Sequence, residues 1–134
     1  IRQKGGSKVQ AECDSITKGQ ISPIGMGKVV TTTGGNLDSK IIHAAVMDWE
    51  GQASSESIRR ATRNIILEAK AKGFKTISIP ALGAGSGGVS PKESAEAIKK
   101  GLYDVVLDLA SFDQIKIVAF DSQVQSTFKK VFAV

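Results

Sequence analysis

The apolar positions change their period several times along the chain, and each change marks an element. Over residues 55–72, Ile58, Ala61, Ile65, Ile66 and Ala69 recur at helical spacing, one stripe of an amphipathic helix, with Gly73 as its expected stop. Ser90-Pro91-Lys92-Glu93 predicts a second helix, with serine as N-cap, proline at the first helical position and the glutamate completing a capping box. Its buried stripe continues through Ala95, Ile98, Leu102, Val106 and Leu109. Ser7 and Gln10 read as another capping box, opening a helix over 7–19 whose inner face is Val9, Cys13 and Ile16. A last helix follows Asp121, its cap, with Val124, Phe128, Val131 and Phe132 turned inward.

Between these lie β-type runs. Residues 27–33 are β-branched and stopped by Gly34-Gly35-Asn36; residues 40–46 form a second strand and 76–80 a third. Residues 115–120 are an almost continuous apolar run, the pattern of a strand buried on both faces. Strands alternating with helices predict an α/β fold: three layers, α/β/α, around a mixed, mostly parallel central sheet. In such sheets ligands sit beyond the carboxyl ends of the strands. The segment after residue 80 and the turn at Phe120-Asp121 both fall there.

The segment after residue 80 carries the chemistry. Gly83-Ala84-Gly85-Ser86-Gly87-Gly88 places four glycines in six positions between a strand end and a helix start. Without Cβ atoms the backbone can take positive φ and let a ligand come close. Free N–H groups at the positive end of a helix dipole then favour an anion, most often phosphate. It is not a Walker A loop, because no Lys-Ser/Thr follows the last glycine. The G-x-G-x-x-G match is not a dinucleotide fingerprint either. The helix starts only at Pro91, and Asp121, the acid at the next strand end, lies well beyond the expected offset.

Composition narrows the class. The 134 residues make one domain with no linker, repeat or low-complexity tract, 41% apolar and 23% charged. No run is long enough to span a membrane. A single cysteine, Cys13, excludes an intrachain disulfide and suits a reducing compartment, so a cytoplasmic location is expected. With His43 the sole histidine, no metal site is expected. The net charge of +5 is dispersed; its one cluster, Arg59, Arg60 and Arg63, reads as a solvated helix face. Nucleic acid therefore ranks last among partners, and the charge serves to steer an anionic ligand.

At this point the chain resembles the macro domain family, the module that recognises ADP-ribose. Pro80-Ala81-Leu82-Gly83-Ala84-Gly85-Ser86-Gly87-Gly88 is similar to its diphosphate loop. Gly5-Gly6 with 9–14 is similar to its early helix, 28–34 and Ile41-Ile42-His43-Ala44 to two central strands, and Val118-Ala119-Phe120-Asp121 to its last strand. The resemblance implies that Gly83, Ala84, Gly85, Ser86, Gly87, Gly88 and Val89 wrap the diphosphate through backbone N–H groups. Ser86 adds a hydroxyl, and Phe120 offers an aromatic surface to adenine. It implies ADP-ribose or an ADP-ribosylated protein as partner, and no cofactor.

The chain departs from the family pattern in two places. The opening strands, with an aspartate for the adenine amino group and an asparagine motif near the distal ribose, have no counterpart, so residues 1–134 are read as a single macro-like domain that is N-terminally incomplete. Gly87 stands where many members carry an aromatic over that ribose.

Some members only bind ADP-ribose. Others remove it from proteins, or remove phosphate from ADP-ribose 1''-phosphate. No catalytic residue is assigned: His43 reads as a satisfied strand histidine, Asp48 and Glu50 as surface, and Asp121 as a cap.

Overall fold

The computed structural model describes residue 8 and residues 27–34, 40–47, 50–85 and 87–132. Apart from Lys8, the helix expected over 7–19, with Cys13, lies outside the described residues, as do Asp48, Trp49 and Ser86. In chain order the elements are β1 (Val29–Thr32), β2 (Ile41–Ala44), α1 (Ser55–Ala71), β3 (Thr76–Pro80), α2 (Pro91–Asp104), a 3-10 helix (Val106–Ser111), β4 (Gln114–Val118) and α3 (Ser122–Phe132). The α/β class and the mixed pairing are as expected. β1 and β2 are antiparallel, Val29 opposite Ala44 and Thr32 opposite Ile41. β3 and β4 are parallel, Thr76 opposite Gln114 and Pro80 opposite Val118.

Helix α1 organises the interior. Its predicted stripe, Ile58, Ala61, Ile65, Ile66 and Ala69, is buried throughout. Each fully buried isoleucine contributes about 1.5–3 kcal/mol of transfer free energy. Ser54 caps the helix: its hydroxyl accepts from the Ser57 amide at 3.1 Å, while the Ser57 hydroxyl accepts from the Ser54 amide at 3.0 Å. The Ser57 hydroxyl also donates to the Val46 carbonyl at 2.7 Å, tying the helix start to the chain after β2. At the other end, Gly73 takes φ 76° and donates to Lys70, while Phe74 donates to Ala69, a Schellman stop. Asn64 donates to the Gly27 carbonyl at 2.6 Å and Thr31 to Glu68 at 2.8 Å, fixing β1 along the same helix.

Two apolar clusters follow. One joins Ile58 to the end of the glycine loop (Val89), to α2 (Ala95, Ala97, Ile98) and to α3 (Val124, Phe128). The other joins Ile65 and Ile66 to Ile79 and Val105, with Ile77, Ile115 and Ile117 packed against it. In α3 the Phe128 and Phe132 rings stack with centroids 6.2 Å apart, on the inner face the sequence predicts.

Two expectations are corrected. The stripe of α2 does not run to Leu109 as one helix, because Val105 turns to φ −124°, ψ 31° and buries itself in the second cluster. The chain then winds as a 3-10 helix and Val106 is turned outward, 53% exposed. β4 is half-buried on one face only: Ile115 and Ile117 pack toward the helices, whereas Gln114, Lys116 and Val118 are exposed. Lys116 in mid-run is the residue that a strand buried on both faces would not tolerate.

β2 and β3 are not paired with each other. Between them runs a cavity of about 670 Å³, bounded by residues 40–44 on one side and 76–80 on the other, with Ile65 of α1 among its lining.

Candidate functional site

β3 and β4 leave the sheet side by side at their carboxyl ends, because Pro80 lies opposite Val118. From that edge β3 runs into the glycine loop and β4 into Phe120. Phe120 is 69% exposed, an open aromatic surface where the sequence places one. Asp121 next to it is a cap, as expected: its carboxylate accepts from the Val124 amide at 2.8 Å.

The loop is a closed turn. The Val89 amide donates to the Gly83 carbonyl at 3.2 Å, the Gly88 amide to Gly85 at 3.0 Å and the Ala84 amide to Ala81 at 3.2 Å. Gly83, Gly85 and Gly88 all have positive φ, 75° to 79°. Gly85 is exposed, and the position of an added Cβ there is open space. Gly87 is buried, and an added Cβ would lie 2.4 Å from the Gly83 carbonyl oxygen. This geometry excludes any side chain at residue 87, the position where the family often carries an aromatic.

The expected amide cradle is thus divided. The amides of Ala84, Gly88 and Val89 are engaged within the turn, and the Val89 side chain is core. Those of Gly83 and Gly87 make no hydrogen bond among the described residues, whereas the parallel β-bridge between Ala84 and Val89 directs the Gly85 amide to the Val89 carbonyl. Ser86, between Gly85 and Gly87, lies outside those residues.

Three contacts brace the loop that no local sequence pattern signals. The Ala53 amide donates to the Gly87 carbonyl at 2.9 Å. The Ser94 hydroxyl, fully buried, donates to the Leu82 carbonyl at 2.6 Å. Gln52 lies against Gly88, its Oε1 3.0 Å from where a Cβ would be. Helix α2 begins as predicted with Ser90 as cap, accepting from the Glu93 amide at 3.2 Å, and Pro91 first in the helix. The capping box is half-formed, however. The Glu93 carboxylate does not return to Ser90; it accepts from the Ser55 hydroxyl at 2.7 Å, linking the starts of α2 and α1.

Other candidates fall away from the loop. His43 in β2 shares a 2.8 Å hydrogen bond with the Thr32 hydroxyl, the satisfied strand histidine expected of it. The arginine cluster is occupied by carboxylates. Arg59 forms two 2.7 Å bonds with Asp104 across the α1–α2 contact, and Arg63 approaches the same carboxylate at 3.7 Å. Arg60 pairs with Glu56. The Arg59 hydrogen bond lowers the pKa of Asp104, and the same bond raises that of Arg59. Among the described residues no three His, Cys, Asp or Glu side chains are grouped to hold a metal. No helix there is long and apolar enough to cross a membrane.

A parallel strand, a tight glycine loop and a capped helix define an α/β module with a backbone-lined cradle. The macro domain family matches residues 1–98. An uncharacterized protein of Aquifex aeolicus is 31% identical over 133 residues, which is 98% of this chain and 76% of that protein. The O-acetyl-ADP-ribose deacetylase of Salmonella typhimurium is 28% identical over 108 residues, 78% of this chain and 60% of the enzyme. Among solved structures, the Oceanobacillus iheyensis macrodomain with ADP superimposes with a TM-score of 0.82 at 21% identity, over 96% of this chain and 70% of that one. The chain belongs to the macro domain family.

Proposed function

We propose that the chain binds ADP-ribose, free or attached to a protein, with the diphosphate on residues 83–88 and the adenine against Phe120. The observation that carries this reading is the shared exit of β3 and β4. It puts a glycine loop, with the Gly83 and Gly87 amides unengaged among the described residues, beside an exposed phenylalanine at one sheet edge. Backbone donors near a helix N-terminus suit a diphosphate, and an aromatic face suits a purine. Gly85, exposed and with nothing near its Cβ position, is where the phosphates approach the main chain most closely. A net charge of +5 favours the approach of an anionic ligand. A cytoplasmic site of action accords with the single cysteine.

Calorimetric titration with ADP-ribose, with AMP and NAD as controls, tests the reading. Saturable binding of ADP-ribose well above AMP is expected. Heats no different from buffer, in both this chain and the whole gene product, would reject it.

A second reading, hydrolysis of an ADP-ribose derivative, is favoured by the likeness to the deacetylase. Among the described residues His43 and Asp121 are both engaged structurally, and neither is assigned as the catalytic group. Release of ADP-ribose from an O-acetylated or protein-linked form distinguishes this reading from binding alone.

A further inference from the structure

The glycine loop has two flanks, and Phe120 occupies one of them. β4 runs beside β3 and delivers Phe120 to that flank. On the other side of β3 lies the cavity and then β2, whose exit supplies residues 45–53. This segment folds back onto the loop. The Ser57 hydroxyl holds the Val46 carbonyl at 2.7 Å, Met47 and Ala53 form an antiparallel bridge, and Gly51 turns the chain between them at φ 77°. The Ala53 amide then donates to the Gly87 carbonyl at 2.9 Å. These contacts seat Gln52 against the loop. Its Oε1 lies 3.0 Å, and its Cδ 3.8 Å, from where a Cβ would stand on Gly88, and both residues are exposed.

A ligand with its base on Phe120 and two phosphates along the loop is directed, past the second phosphate, toward this other flank. In ADP-ribose the group that follows there is a sugar with neighbouring hydroxyls; in ADP nothing follows. We propose, building on the ADP-ribose reading above, that Gln52 is a specificity-determining residue that hydrogen-bonds the hydroxyls of that second ribose. A carboxamide offers an acceptor and two donors, which suits hydroxyls that both donate and accept. It is also uncharged, so it neither repels the diphosphate as a carboxylate would nor attracts any anion as a lysine would. Discrimination then comes from the hydroxyls and not from charge, and a ligand without them leaves the carboxamide unmatched. Gly88 makes the placement possible: a side chain there would meet the Gln52 carboxamide and push it off the loop. Anchoring through Ala53, one residue on, means that little of the backbone has to be ordered when the ligand arrives.

Calorimetric titration of ADP-ribose and of ADP into the whole gene product, and into its Gln52→Ala and Gln52→Met variants, tests the assignment. Methionine keeps the length of the side chain against Gly88 and removes the carboxamide. Both variants are expected to weaken ADP-ribose about 5- to 50-fold while changing ADP by less than about twofold. Unchanged ADP-ribose affinity in either variant overturns the assignment. So does an equal loss for the two ligands, which would make Gln52 a brace of the loop and leave the second ribose unread. Binding of neither ligand by the unsubstituted protein is a separate result: it rejects the ADP-ribose reading itself, and the role of Gln52 with it.

Discussion

The Ser94 hydroxyl, in the first turn of α2 and fully buried, donates to the Leu82 carbonyl at 2.6 Å and so fixes the helix to the base of the glycine loop. The Ala53–Gly87 bond holds the far side of the same turn. The loop is held from two helix starts before any ligand arrives, which lowers the ordering cost of binding. Replacing Ser94 by alanine leaves the Leu82 carbonyl without its donor. The expected loss of stability is about 1–3 kcal/mol, read from chemical unfolding, together with weaker ADP-ribose binding.

Gly87 and Gly85 separate packing from approach. Gly87→Ala sets a Cβ against the Gly83 carbonyl at 2.4 Å, so the turn must open. Both stability and binding should fall, by about 1–3 kcal/mol in stability. Gly85→Ala meets no neighbour and costs only its positive φ of 77°, about 1–2 kcal/mol. Thermal unfolding of the two variants checks the order.

Phe120 is mostly exposed, so Phe120→Ala should change stability by no more than about 0.5 kcal/mol. Loss of an adenine contact worth about 1–3 kcal/mol should weaken ADP-ribose roughly 5- to 150-fold. The affinity for a ligand without the base should not change. Titration of ribose 5-diphosphate alongside ADP-ribose separates the two effects.

The Arg59–Asp104 pair makes an acid-sensitive link between α1 and α2. Its hydrogen bond lowers the Asp104 pKa in the folded state, so the stabilisation is present above the unfolded carboxylate pKa and is lost as pH falls through the folded value. Asp104→Asn should lower the unfolding midpoint at neutral pH, and its deficit should shrink below about pH 4. Unfolding of both proteins from pH 7 to pH 2 shows whether the curves converge.

The sequence makes legible what is local. The α1 stripe from Ile58 to Ala69, the strand Thr76–Pro80 and the Ser90-Pro91 helix start follow from period and capping alone, and each is found where expected. Gly83 to Gly88 is legible as a turn because glycine spacing is a backbone property. What the sequence hides depends on distant partners. Glu93 has the spacing of a capping box, yet Ser55 competes successfully for its carboxylate. Val106 continues a helical stripe on paper, but Val105 finds a buried place against Ile65 and Ile79 and ends the helix first. Which loop amides are engaged is equally unreadable, since the turn is closed by Val89 bonding to Gly83.

The central claim is that the glycine loop, through Gly85, carries the diphosphate. The most direct measurement is calorimetric titration of ADP-ribose into the whole gene product and its Gly85→Val variant, with circular dichroism confirming that both are folded. The account predicts saturable binding to the first and at least about 100-fold weaker binding to the second, since a branched side chain would occupy the open space where the phosphates approach. Equal affinity for the two proteins would contradict it.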